Sequence, residues 1–231
     1  MRIFRVIDFE TTGLQANAGI VEIGWTDVFV DNVVSIEPVW HAELCNPGVP
    51  IDPEASAVHG IKDEDVKNSP HPRSVLETLK EGVEAFVAHN KAYEQKLWKS
   101  SGKPWVCTLK AARKYFPESP GFSNTVLKDY LGHDKIPGFT ALSIPAHRAG
   151  PDTFVTAHHL KALLEKARAE DLLEVSKGVQ LLEICSFRKY AGKKWSQVPH
   201  DYMEWLLKLP SLDEDVEHTC KFYLGRLGND Q

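Results

Sequence analysis

The chain has 231 residues, 42% of them hydrophobic, and a formal net charge of −5. That composition excludes a disordered chain and leaves room for one larger domain, or a medium domain with a small appendage. The acidic balance disfavours a generic nucleic-acid coat protein, but not an enzyme that gathers carboxylates around metal ions and places its lysines locally. No window approaches the roughly 18 apolar residues of a membrane span, so no membrane partner is expected. The N-terminal MRIFRVIDFE meets charge too early for a secretory signal. Cys45, Cys107, Cys185 and Cys220 are far apart and form no C-x-x-C pair, which suggests neither a zinc ribbon nor a disulfide framework. A soluble, reduced, cytoplasmic protein is the expectation.

In chain order, RIFRVID (2–8) reads as a short buried strand, TTGLQANAG (11–19) as a loop, and IVEIGWTDVFV (20–30) as a second strand. Asp31-Asn32 is a hairpin signal, with a third strand continuing over 33–44. PEASAVH (53–59) predicts a helix with proline in its first turn. SPHPRSVLETLKEGV leads into another helix, and EAFVAHN is a short strand. NKAYEQKLWKSS is a helix expected to be capped by Asn90. PWVCT is strand-like, LKAARKYFP a helix ended by Pro117, and SNTVLKDYL (about 123–131) a helix ended by Gly132. The last strong helix is 151–168. A hairpin followed by alternating helix and strand implies an α/β fold, a mixed β-sheet flanked by helices. Periodicity weakens around 169–183. The expected division is a main domain over 1–170, a linker over about 171–183 and a small C-terminal module over 184–227.

Asp8 and Glu10 lie two apart at the end of the first strand, so on a continuing strand both carboxylates face the same way. Two like charges held together are costly unless something positive compensates, and a divalent cation does this well. Alternatively, the strand ends at Asp8 and both acids are solvated. Three further features shift the balance. TTGL follows at once, then IVEIG; AHNKAYE sets an acid in the first turn of a helix after a short strand; and HRAGPD sets His147 five residues before Asp152. Together these motifs resemble the DEDDh branch of 3′–5′ exonucleases, and with AVHGI, WVCTLKAARKYFP, FSNTVL and the C-terminal FRKYAGKKWSQVPHDYMEWLL the resemblance extends over about residues 2–225.

That resemblance implies a ribonuclease-H-like fold. It also implies two divalent ions, Mg2+ or Mn2+, held by Asp8, Glu10, Glu94 and Asp152, with His147 as general base. The reaction implied is hydrolysis of DNA 3′ ends, single-stranded or duplex, to nucleoside 5′-monophosphates. Thr11, Gly13, Leu14, Gln15 and Asn90 become the expected substrate contacts, with Leu14 and Gln15 against the terminal bases. The residue types suit the chemistry: hard ions prefer carboxylate oxygen, and a histidine titrates near neutrality.

The chain departs from the family pattern twice. Glu94 stands where an aspartate is expected, one methylene longer. Pro151 fits a first helical position and disfavours helix for Gly150, so the last helix is expected to begin at Pro151, with His147 on the loop before it. His59, His89, His158 and His159 are read as packing or hydrogen-bonding residues. In the tail, five Lys/Arg stand against two Asp/Glu within 187–208, interleaved with aromatics. Trp205 and Leu206 are expected inside, and the RKYAGKK turn outside near DNA or a partner. The rivals are an RNA-trimming exonuclease of the same fold, a binding protein that has lost catalysis through Glu94, and a proofreading subunit of a polymerase. Oligomeric state, including a homodimer, stays open.

Overall fold

The structure, a computed structural model, describes residues 1–15, 17–209 and 212–225. In chain order the elements are β1 (Arg2–Thr11), β2 (Ile20–Val30), β3 (Ser35–Ile36), β4 (His41–Leu44), α1 (Pro53–His59), α2 (Asp63–Val66) and α3 (Pro72–Thr78). Then come β5 (Ala85–Ala88), α4 (Lys91–Leu97), β6 (Trp105–Cys107), α5 (Thr108–Tyr115), α6 (Asn124–Tyr130) and α7 (Phe139–Leu142). The chain closes with α8 (Ala149–Leu164), α9 (Ala169–Val175), α10 (His200–Leu206) and α11 (Glu214–Tyr223). Among the described residues, six strands form one mixed sheet in the order β3-β2-β1-β5-β6, with β4 also on β2. β1 pairs antiparallel with β2 and parallel with β5, and β5 is parallel to β6. This is the ribonuclease-H-like arrangement that the sequence led us to expect.

The sheet sorts its side chains by the two-residue period of a strand. Phe4 and Val6 of β1, with Val28 of β2 and Val87 of β5, pack against α5, α6, α8 and α9 in one core. Ile7 and Phe9, with Ile23 and Phe86, pack with Leu76, Trp98 and Trp105 in a second core on the opposite face. Asp8 and Glu10 therefore continue the Phe4–Val6 row and emerge on the α8 face. The strand does not stop at Asp8; it runs to Thr11, which removes the solvated-loop alternative for both acids.

Several expectations need correction. The strand expected over 33–44 is two short ones, β3 and β4, with Pro38 between them; proline has no N–H to give to a ladder. α8 begins at Ala149, not Pro151. The first turn of a helix has no intrahelical use for its N–H groups, so Pro151 is tolerated there, and Gly150 has no Cβ for the proline ring to strike. The segment expected as a linker from residue 171 is helical through Val175. Ala169 and Leu172 of α9 are buried in the main core, and the Cys107 amide donates to Ser176 Oγ at 2.7 Å.

Beyond that point a separate small core forms from Leu182, Cys185, Trp195, Val198, Met203, Leu206, Val216 and Cys220. Leu206 is buried as expected, but Trp205 is 44% exposed and the tryptophan inside is Trp195. On α10 the inward positions are Met203 and Leu206, which leaves Trp205 to the side. Residues 226 and 227 of the expected module lie outside the described residues. A buried polar joint ties the module to the main domain. Lys110 Nζ of α5 donates to Gly178 O at 2.6 Å, Glu214 at 2.8 Å and Asp215 at 2.9 Å, while Arg113 pairs with Asp213 and Asp215 at 3.1 and 3.0 Å.

Candidate active site

Asp8, Glu10 and Asp152 come together at the carboxyl end of β1, with one oxygen of each within 4.8 Å of the others. The long sequence separation between Glu10 and Asp152 is closed by the way α8 lies on β2. Asp8 is in register with Gly24, and Glu10 with Glu22. A Cβ on Gly24 would come within 2.6 Å of the Gly150 nitrogen, and closer to the Ala149 carbonyl. On the other side, a Cβ on Gly150 would fall 2.7 Å from a Trp40 ring carbon. Two glycines thus let the start of α8 rest directly on the sheet, between β2 and Trp40. The contact continues one step along as Thr26 Oγ1 meets Thr153 Oγ1 at 2.9 Å.

The same helix start is held by a residue the sequence reading passed over. Glu22 is buried on β2. It accepts the Ala149 amide at 2.9 Å and Arg148 Nε at 2.9 Å, and the Arg148 Nη2 closes a second bond to it. A bidentate arginine–carboxylate pair with an added backbone donor fixes direction as well as distance. The available signal was a charged residue inside the otherwise apolar run IVEIG, in register with Glu10.

Burial dominates the electrostatics, with the crowding of like charges adding to it. Burial, followed by the charges of Glu94, Asp152, Glu10 and Glu22, pushes the Asp8 carboxyl well above the usual range. Burial, with Asp152 and Glu22, raises Glu10 to about 8, against a counter-pull from Arg148. Burial raises Glu94 to about 8 as well. Asp152 is raised by burial, with its bond to His147 opposing. Several acids crowded into one dry corner are poised for divalent cations, and an all-oxygen donor set suits hard ions.

Glu94 lies outside the compact triplet but beside it. It sits in the first turn of α4, is 5% exposed, and its Oε2 has no hydrogen-bond partner. A buried carboxylate oxygen left unpaired is costly unless a cation completes it. The donor set therefore fits the ions that the family pattern implies. His147 lies on the loop before α8, as expected, exposed and in a left-handed conformation with φ 61°. Its backbone N–H donates to Asp152 Oδ2 at 3.1 Å, which ties this loop to the acid cluster.

The expected substrate residues separate into two places. Thr11, Gly13, Leu14 and Gln15 border a cleft of about 500 Å³ that is also lined by Glu10 and by Ala55 and Val58 of α1. Leu14 is 91% exposed and Val58 58% exposed. Thr11 Oγ1 lies 2.7 Å from Tyr93 Oη, a link from the loop to α4 that the sequence did not suggest. Asn90 lies apart, in a cleft with Cys107, Lys110 and Leu212. Its side chain also makes no capping bond; only its carbonyl accepts, from the Tyr93 amide at 3.0 Å. The four histidines expected to pack or hydrogen-bond each have such a partner, although His59 also lines the Leu14 cleft. His59 lies 3.2 Å from Thr11 O and accepts from the Ile61 amide; His89 Nε2 bonds Phe122 O at 2.7 Å; His158 bonds Phe154 O; and His159 bonds His133.

Residues 6–160 match the exonuclease model of the RNase T family. Exodeoxyribonuclease 10 of Escherichia coli K12 is 32% identical over 228 residues, covering 96% of this chain and 99% of that protein. A solved structure of exonuclease X with 5′-overhanging duplex DNA superimposes with a TM-score of 0.63 at 31% identity, over 75% of this chain and 99% of that one. A 3′-exonuclease solved in recognition of a histone mRNA stem-loop shares the fold at 14% identity and a TM-score of 0.54, over 71% of this chain and 82% of that one. The chain therefore belongs to the exonuclease family, as a metal-dependent 3′–5′ exonuclease.

Proposed function

We propose that this exonuclease acts on DNA, removing nucleoside 5′-monophosphates from 3′ ends. The observation that carries the reading is the convergence of Asp8, Glu10 and Asp152 within 4.8 Å, with Glu10 also lining the Leu14 cleft. Asp8, Glu10 and Asp152 hold the divalent ions, Mg2+ or Mn2+, and Glu94 completes the set with its unpaired oxygen. Such ions supply charge neutralisation at the phosphodiester and at the oxygens that form and leave.

The chain's own residues do the rest. His147, on its exposed loop, takes the proton from the attacking water and passes it to solvent. Leu14 offers an exposed apolar surface to the terminal base, and Val58 lines the same cleft, so a base is gripped by contact area and not by its sequence. Thr11 and Gly13 shape the backbone of that cleft and Gln15 borders its mouth. Asn90, in its separate cleft, meets the strand farther from the terminus. DNA is favoured over RNA by a relative matched over 99% of its own length, which is named an exodeoxyribonuclease and, as exonuclease X, was solved on duplex DNA.

A 5′-labelled single-stranded DNA oligonucleotide tests this. In Mg2+ or Mn2+ it should shorten from its 3′ end, with no shortening in EDTA or with Asp8→Ala. A matched RNA degraded faster than the DNA would reverse the substrate assignment. Absence of any ladder with either metal would refute the activity.

A further inference from the structure

The basic-aromatic tail is not used by the site described above. Within 187–208, five Lys/Arg stand against two Asp/Glu, in a chain whose formal net charge is −5. Three aromatic rings run together there. Tyr190 and Tyr202 lie with ring centroids 4.7 Å apart, and Tyr202 stacks on Trp205 at 5.3 Å and 30°. Trp205 ends the row with 44% of its surface exposed. Two exposed lysines, Lys189 and Lys193, hold their ammonium groups 5.3 and 5.5 Å from the Tyr190 ring centre. Among the described residues neither lysine has a carboxylate within 4.0 Å, whereas Lys194 is paired with Glu183 at 3.4 Å.

We propose that Tyr190, Tyr202 and Trp205 with Lys189 and Lys193 form a second binding surface, for single-stranded nucleic acid. Trp205, backed by the half-buried Tyr202 and Tyr190, presents an exposed ring to an unstacked base, and the ammonium groups of Lys189 and Lys193 beside this row neutralise phosphates; that pairing of groups is how sequence-tolerant strand binding works. Charge complementarity favours a polyanion over a protein partner. The module's place in the fold agrees. Its α11 begins against Lys110 and Arg113 of α5, which starts where β6 ends. β6 is two strands from β1 in the sheet; at strand spacing that is about 10 Å. The start of α11, through which the module joins the main domain, is therefore fixed on the side of the sheet where β1 delivers Asp8 and Glu10. A strand whose 3′ end is in the acid cluster has its upstream nucleotides free to reach the module, so the surface keeps long strands attached between cleavages. This deepens the nuclease reading and rests on it.

The test uses the full chain, with Trp205→Ala and, separately, Lys189→Glu with Lys193→Glu. All three positions are exposed, and thermal melting confirms that each variant is folded. Binding of fluorescein-labelled dT20 and U20 is read by anisotropy in EDTA, where no hydrolysis occurs. Hydrolysis of a labelled trinucleotide in Mg2+ is read in parallel. Each variant should weaken dT20 binding by about tenfold or more, and the double lysine variant should lower the salt slope by about 1.4. The trinucleotide rate should not change. Equal losses on dT20 and U20 indicate a surface for either strand; a loss confined to one limits it to that strand. Unchanged Kd and salt slope in both variants would overturn the proposal, as would an equal loss on the trinucleotide. If wild type hydrolyses nothing, the nuclease reading fails while the EDTA arm still decides this one.

Discussion

Gly24→Ala is the substitution that separates a site made by close backbone approach from one made by its acids alone. The new methyl would lie 2.6 Å from the Gly150 nitrogen, and nearer to the Ala149 carbonyl, where real Cβ atoms keep at least 3.0 Å and ordinary contact begins at 3.4 Å. The obstruction is backbone, which has no rotamer to swing away. The start of α8 must then retreat from β2 by roughly 1 Å, and a misplacement of that size costs on the order of a hundredfold in rate. Asp152, on the first turn of α8, moves away from Asp8 and Glu10, which stay on β1. Overpacking of this kind costs about 1–3 kcal/mol in stability, or roughly 3–10 °C in Tm for a chain of this length. The assay pairs kcat/KM on a 5′-labelled oligonucleotide with thermal melting and Mn2+ titration. Activity about a hundredfold down, weakened Mn2+ binding and a still-folded protein are expected. A Gly24→Ala enzyme as active as wild type would refute the argument that this glycine sets the position of Asp152.

Three further substitutions and conditions test the rest of the site. Glu22→Gln keeps an acceptor for the Ala149 amide but loses the charge that pairs with Arg148; hydrogen bonds to charged groups contribute about 1.5–3 kcal/mol. Stability should fall by that amount and kcat by about tenfold, and unchanged kcat would show that the pair is only structural. Glu94→Asp should lower the rate by roughly 10–100-fold, because α4 is set for the longer side chain, and Glu94→Gln by more; an increase with aspartate would mark the glutamate as a lesion. Metal-free protein should lose stability as pH rises. Glu10 and Glu94 have carboxyls raised from 4.5 to about 8 in the folded state, so the folded state holds protons that the unfolded one has released. Their favourable contribution is complete below about pH 4.5 and disappears as pH rises through about 8. Melting in EDTA across that window should show a decline that Mg2+ or Mn2+ reverses at the alkaline end. A Tm that rises with pH in EDTA would contradict the crowding described.

Strand periodicity made Asp8 and Glu10 legible as a pair, whereas Glu94, Asp152 and the role of His147 were legible only through the resemblance to the exonuclease pattern. Asp8 and Glu10 two apart on β1 had to share a face once the strand continued, and His147 had to precede a helix that Pro151 helped to start. The residues that escaped the sequence reading act through pairings between distant segments. Glu22 reads as an anomaly in an apolar strand until its register with Glu10 is known. Gly24 reads as a weak strand position until α8 is laid on it. Trp205 was misplaced for a different reason. Tyr202, Trp205 and Leu206 have the spacing of a helix face, but α10 is only seven residues long. Two turns admit few inward positions, and Met203 and Leu206 take them. Asn90 shows the limit of local rules: it stands where a cap belongs, yet its backbone at φ −128° and ψ 77° leaves the side chain without a capping bond.

The single methylene at Glu94 is intelligible from where the four acids come from. Asp8 and Glu10 are placed by the pleat of β1, and Asp152 by a helix pressed against the same sheet face, so these three have little positional slack. Glu94 arrives differently. α4 follows β5, and its Leu97 and the adjoining Trp98 pack in the core on the opposite face from α8. The Glu94 carboxylate must therefore reach Asp8 from a helix anchored elsewhere, and the length of its side chain can be matched by where that helix rests. Burial keeps the added torsion from wandering, because a 5% exposed side chain has few rotamers open to it. The negative charge of Glu94 is the first among those that raise the Asp8 carboxyl, which places it electrostatically inside the cluster although it is outside the compact triplet. A longer acid on a differently anchored helix conserves the charge at the site while moving the place from which it is delivered. The helix-borne position 94 thus has a freedom in side-chain length that the register-bound Asp8 lacks, and the Glu94→Asp rate decides whether the enzyme uses it.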